Sequence, residues 1–183
     1  MSEESIEIVP YSPGWPVAFR AEAVLLISAL RDPSFLIEHV GSTAVPGLGG
    51  KPVVDIMLGA TNLAAVDARR PAIEALDYDY GPPAEAVIRD RRFFVKCVGG
   101  RRAFHLHAVQ AGSSSWIEHL VFRDRLRGDP ELAAYHEVKA GLARQFRDDR
   151  EAYTSGKSAF ILQVLGRAGG RLGGDEGAPG RPT

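Results

Sequence analysis

The side chains able to do chemistry fall in a few short segments. The first is Ile37-Glu-His-Val-Gly-Ser-Thr-Ala-Val-Pro-Gly47, an apolar run that gives way to a glycine and two hydroxyls. A glycine at position 41 lets a ligand approach the backbone closely. Ser42 and Thr43 add hydroxyls, and exposed amides and hydroxyls after a strand suit phosphate oxygens. Lys51 follows and can give the same anion a point charge. Glu38 and His39, just before the glycine, are placed to orient the loop. Asp55 then interrupts the apolar run Pro52–Leu58. By alternation it shares a face with Val53 and Met57, while Val54, Ile56 and Leu58 point the other way. A carboxylate in such a run needs a partner.

The second set lies in the C-terminal half. His105 and His107 are two apart in a β-prone run, so they face the same side. Beside Asp55 they would form a His-x-His-plus-carboxylate group. Such a set suits a divalent metal such as Mg, Mn or Zn, phosphate hydrogen bonding, or acid–base work. Arg123 and Arg127 are four apart on one helical face with Asp124 between them. They suit either an anion or a fold-locking role. Tyr153 and Lys157 are also spaced i, i+4, and Lys157 can reach back to neutralise a phosphate or serve catalysis.

Other candidates are weaker. His119 and His136 read as ordinary helix residues. Arg89, Arg91, Arg92, Arg101 and Arg102 cluster around a hairpin, where charge protects a sheet edge. No aromatic interleaving or RNA-binding motif accompanies them. Cys97 alternates with Phe93 and Val95 and is expected to be a buried hydrophobe. There is no Gly-x-Ser-x-Gly run, and no Gly-x4-Gly-Lys-[Ser/Thr] phosphate loop.

The elements that must position these groups are legible in outline. Phe19, Ala23, Leu26 and Leu30 make one apolar stripe, preceded by Ser12-Pro13 and Trp15-Pro16. Short β runs are expected at Ile6–Val9, Phe35–Val40 and Pro52–Leu58. Residues 62–76 read as helical, broken in two at Pro71. Phe93–Val98 and Ala103–Val109 flank Gly99-Gly100-Arg101-Arg102, a hairpin signal. Trp116–Arg127 reads as a helix ended by Gly128. Asp129-Pro130-Glu131 starts another, with Leu132, Tyr135, Val138, Leu142 and Phe146 as its stripe. A last helix covers about 150–168. The expected fold class is α+β: a mixed sheet with helices on one face and a C-terminal helical part. Residues 1–168 form one domain, and the Gly/Pro-rich stretch 169–183 is expected to be a disordered tail.

The chain has 183 residues, 45% hydrophobic and 25% charged, and a net charge of -1. That excludes a disordered chain or a coiled-coil rod and leaves no global positive field for nucleic acid. One cysteine excludes a disulfide framework. No stretch approaches a membrane span, and the acidic start is no signal peptide, so a cytoplasmic protein is expected.

Two nested resemblances follow from these motifs. Gly41-Ser42 ending one strand, with Asp55 about a dozen residues later, resembles the nucleotidyltransferase fold of the polymerase-beta superfamily. The closer likeness, over about residues 6–168, is to the GrpB family, also called UPF0157. It rests on Val9-Pro-Tyr-x-Pro-x-Trp15, residues 37–47, Lys51-Pro-Val-Val-Asp55, His105-Leu-His107, Phe122-Arg-Asp-Arg-Leu-Arg127, and Tyr153 with Lys157. The resemblance implies a nucleotidyltransferase-like core binding a phosphorylated small molecule, a nucleotide or a CoA-type ligand. In some actinobacteria a similar domain is fused to dephospho-CoA kinase. It also implies metal-dependent nucleotidyl or phosphoryl transfer, in which Asp55 would share its strand with a second acid. Here Met57 stands at that second position. The alternatives are a non-catalytic nucleotide-binding or regulatory, chaperone-like partner of another protein, and a hydrolase built on Asp55 and the two histidines.

Overall fold

The computed structural model describes residues 7–81, 90–128, 131–147 and 149–172. Helix α1 (Gly14–Leu30) leads into strand β1 (Leu36–Val40), a short 3-10 turn (Ser42–Ala44) and strand β2 (Val54–Ala60). Helix α2 (Leu63–Glu74) and strand β3 (Tyr78–Tyr80) precede the hairpin of β4 (Arg91–Val98) and β5 (Arg101–Gln110). Three helices finish the chain: α3 (Ser114–Arg127), α4 (Glu131–Gln145) and α5 (Arg150–Leu172).

The five strands form one sheet in the order β1-β2-β5-β4-β3. Only β2 and β5 run parallel; the other neighbours are antiparallel. One face is the main core. Val54, Ile56, Leu58, Leu106, Ala108 and Phe94 pack there against Leu26 and Leu30 of α1 and Val66 and Ile73 of α2. The opposite face carries Val40, Met57 and Val109 under Trp116 of α3. A third cluster, with Val45, Leu48, Leu126 and Tyr135, joins the loop after β1 to α3 and α4, with Phe160 of α5 packed against it. The α+β class, the mixed sheet and the C-terminal helical part are as expected.

Several local expectations are corrected. Residues 63–74 form one helix with Pro71 inside it. Pro71 falls near the C-terminal end, so one lost backbone bond does not divide the helix. The loop of the hairpin is Gly99-Gly100 alone, both at positive φ, and Arg101 and Arg102 already pair in β5. Cys97 is exposed, not buried. The register shifts between Lys96 and Cys97, which breaks the alternation on which the buried reading rested. Val9 makes only an isolated bridge, to Gly50. The strand Tyr78–Tyr80 was not foreseen. Helix α5 continues past Ala168 to Leu172. The Asp129-Pro130 cap lies outside the described residues.

Candidate functional site

The site grows from the pairing of two strands. In the parallel register Asp55 lies opposite His105, and Met57 opposite His107. The period of two then turns Asp55, His105 and His107 to the same face. His105 Nδ1 is 3.1 Å and His107 Nε2 3.5 Å from the same carboxylate oxygen, Asp55 Oδ1. Burial alone would raise the Asp55 carboxyl; hydrogen bonds and charge from His105 and His107 outweigh it and hold the group far below the usual carboxylate range. His107 is pushed down to about 4, first by burial, with the Arg91 charge adding and Asp55 opposing. Asp55 is therefore an anion and His107 a neutral ring at neutral pH.

Gly41 completes this corner. Its φ is +70, and a Cβ there would overlap the Asp55 carboxylate. Only glycine lets the backbone turn so close to the acid.

The next residue, Ser42, opens a basic pole. Lys139 of α4 is 1% exposed and donates to Ser42 Oγ at 3.1 Å and to the Gly49 carbonyl. Burial, with the Lys157 charge adding, lowers its ammonium to about 7. Lys51 Nζ and Lys157 Nζ sit 4.4 and 4.5 Å from the centre of the buried Tyr153 ring. Lys139 lies close enough to Lys157 to feel its charge. Three of the chain's four lysines thus gather around one loop, in a sequence that otherwise uses 18 arginines.

The remaining candidates turn elsewhere. Thr43 is buried, and its Oγ1 meets His39 Nε2 at 3.0 Å. The 3-10 turn rotates it toward the helix side, where His39 stacks on Phe19. Thr43 is therefore not turned to the face that carries Asp55. Burial pushes His39 down to about 4, opposed by Asp55 and reinforced by Arg127 and Arg123. Arg123 donates to Glu38 Oε2 at 2.7 Å and to the His39 carbonyl at 3.1 Å, and also grips Asp124. Arg127 gives two hydrogen bonds to the Ala44 carbonyl. These two arginines tie the loop to α3, the fold-locking alternative, with Glu38 as the partner of Arg123. His119 bonds the Ser115 carbonyl. A groove of about 740 Å³ lies on the far side of the loop, between Val9–Tyr11 and α4, and holds none of the cluster.

Two residues were missed. Lys139 interrupts the apolar stripe of its helix, four after Tyr135 and three before Leu142, and that position was its signal. Arg91 was grouped with the hairpin arginines, yet its NH1 lies 3.1 Å from His107 Nδ1. The signal for Arg91 was its parity with Phe93, which faces both histidines.

The donor atoms of Asp55, His105 and His107 all lie within 4.8 Å of one another, a spacing that suits one divalent cation. The outer contacts do not suit one. A ligating imidazole normally donates its second N–H to an acceptor. The second nitrogen of His107 faces a guanidinium, and that of His105 is buried without a hydrogen-bond partner among the described residues. In this proton arrangement the three side chains fit acid–base work better than a metal centre.

Comparison with known proteins agrees with this architecture. The family model described as GrpB protein matches residues 5–167. A UPF0157 protein of Pseudomonas aeruginosa is 41% identical over 170 residues, covering 91% of this chain and 69% of that protein. A dephospho-CoA kinase of Mycolicibacterium paratuberculosis is 27% identical over 89% of this chain, which spans only 46% of the kinase. The crystal structure of conserved protein GrpB from Enterococcus faecalis superposes with a TM-score of 0.79 at 31% identity, covering 91% of this chain and 99% of that one. With the family model matching residues 5–167 and a relative 41% identical over 91% of the sequence, the chain belongs to the GrpB family.

Proposed function

We propose that the surface joining Asp55 to the lysine-lined loop binds a phosphate-bearing small molecule, of nucleotide or CoA type, and transfers a phosphoryl or nucleotidyl group. The observation that carries this reading is the gathering of Lys51, Lys139 and Lys157 around Ser42 and Tyr153, next to the Asp55–histidine group. Such a pole supports anion binding, because ammonium charges and a hydroxyl neutralise phosphate oxygens. Ser42 and the lysines would hold the phosphate. Asp55 accepts a hydrogen bond from His105 Nδ1, and its carboxylate, 30% exposed against 13% for His105 and 14% for His107, is the member of the group most open to an attacking hydroxyl or water. Phosphoryl transfer asks mostly for positioning and charge neutralisation, which this arrangement supplies. The kinase relative supports the CoA-type arm of the proposal.

A second reading, binding without transfer in the service of a partner protein, is favoured by Met57. That side chain is fully buried under Trp116, so apolar packing fills the position where a second acid would stand. The test is a thermal-shift panel of nucleoside triphosphates, dephospho-CoA, CoA and inorganic phosphate, each with EDTA, Mg²⁺, Mn²⁺ or Zn²⁺. Wild type, Asp55→Asn and Lys157→Ala would be compared, followed by turnover assays on the ligands that bind. A ligand at about 100 times its Kd raises stability by about 2.7 kcal/mol. Loss of that shift in Lys157→Ala, with turnover lost in Asp55→Asn, is the expected result. A shift without turnover in wild type selects the binding-only reading, and no shift with any phosphate compound refutes both.

A further inference from the structure

The protons around Asp55 are set by a neighbour outside the carboxylate–histidine group. Arg91 opens β4 and shares a face with Phe93, which lies opposite His107 in the β4–β5 register. Its guanidinium NH1 is 3.1 Å from His107 Nδ1. A guanidinium carries five N–H donors and no acceptor. At that distance Nδ1 must be the acceptor, so the neutral ring carries its proton on Nε2. Nε2 is the nitrogen 3.5 Å from Asp55 Oδ1. His107 therefore aims an N–H at the carboxylate. A metal ligand needs the reverse, with a lone pair toward the ion and an N–H on the far nitrogen meeting an acceptor. A cation at Nε2 would also meet the fixed positive charge of Arg91 beyond the ring.

We infer that Arg91 is a positioning residue that fixes the His107 proton on Nε2, turned toward Asp55, so that His107 is withheld from metal coordination and the Asp55–His105 hydrogen bond is left undisturbed. Nothing in a purely structural role requires this. Arg91 also covers the Phe93 ring at 5.1 Å, and that contact would survive either tautomer.

The experiment uses the full chain, stripped with EDTA, and no phosphate ligand, so its outcome is independent of the function proposed above. Long-range ¹H–¹⁵N correlation on wild type reads the His107 tautomer directly, with His107→Ala giving the assignment. Zn²⁺ titration then compares wild type, Arg91→Gln, Arg91→Met and the double variant Arg91→Gln/His107→Ala. A glutamine carbonyl can accept from Nδ1–H, so Arg91→Gln is expected to bind Zn²⁺ about 10- to 100-fold more tightly than wild type, the usual reach of a contact outside the ligands. Arg91→Met removes the block without supplying an acceptor and should gain less. The gain should vanish in the double variant. A proton on Nδ1 in wild type would overturn the inference. So would wild-type Zn²⁺ binding through His107 as tight as that of Arg91→Gln, or no gain in any Arg91 variant.

Discussion

The two faces of the sheet use the same strands for opposite ends. Along β2, Val54, Ile56, Leu58 and Ala60 enter the helix-covered core, while Asp55, between the first two, meets the histidines. Along β5, Leu106 and Ala108 do the first and His105 and His107 the second. The helix face is held by burial, which tolerates small shifts. The other pairs a smaller apolar cluster under Trp116 with directed contacts between a carboxylate and two imidazoles, which do not. A one-residue slip of β2 against β5 would exchange the two, so the core guarantees the register on which the site depends.

Neighbouring substitutions on β2 should separate these roles most clearly. Ile56→Ala is expected to cost about 2–5 kcal/mol of unfolding free energy by denaturant titration. Asp55→Asn should cost less than that, while removing turnover of the phosphate ligands that bind. An equal loss of stability from both would mean that the two faces are not divided as described.

The buried histidine on the helix face adds a pH signature. The His39 ring is neutral when folded and takes up a proton near 6.5 when unfolded. Its contribution is therefore complete above pH 6.5 and is lost as pH falls through about 4. The full effect is about 3 kcal/mol, since one pKa unit is worth about 1.4 kcal/mol. His107 shifts in the same direction. In His39→Gln the fall in melting temperature between pH 6.5 and 4 should be shallower than in wild type.

Glycines sharpen the contrast next. Gly41 and Gly47 both have positive φ, but only Gly41 has the Asp55 carboxylate against it. Gly47→Ala should cost about 1–2 kcal/mol, the strain of a left-handed residue. Gly41→Ala should cost more, and should also weaken ligand binding by moving Ser42, the next residue, as the loop is pushed off Asp55. Binding unchanged in Gly41→Ala would separate the loop from the acid. The smallest effect is expected at Cys97, where Cys97→Ser should shift stability by less than about 0.5 kcal/mol because the thiol is exposed.

The sequence made the strand face legible because period two is a rigid rule. Asp55, His105 and His107 could be put on common faces before their strands were known to pair. Side-chain direction in the loop was not legible. Thr43 has the right chemistry for phosphate, but one 3-10 turn sends its hydroxyl to His39. Arg123 and Arg127 were correctly placed on one helical face, yet a face does not say whether its partner is a ligand or a carbonyl. Lys139 was overlooked although it sits inside the apolar stripe of its helix, four after Tyr135 and three before Leu142, because a long polar chain there can also reach out to solvent and only tertiary packing buries it. Cys97 failed because alternation does not survive a register shift.

Lys139 also has a consequence for the order of assembly. It joins α4 to Ser42 across 97 residues of chain, whereas Asp55 and His105 are 50 apart. Arg127 reaches back 83 residues to Ala44. Contacts at such separations carry the greater loop-closure entropy and reward the chain only after intervening elements are in place. A nascent chain ending before α4 already contains all five strands, the acid and its histidines. It lacks Lys139 and Lys157, two of the three lysines at the loop, so the last third of the polypeptide completes the lysine group that the first third begins.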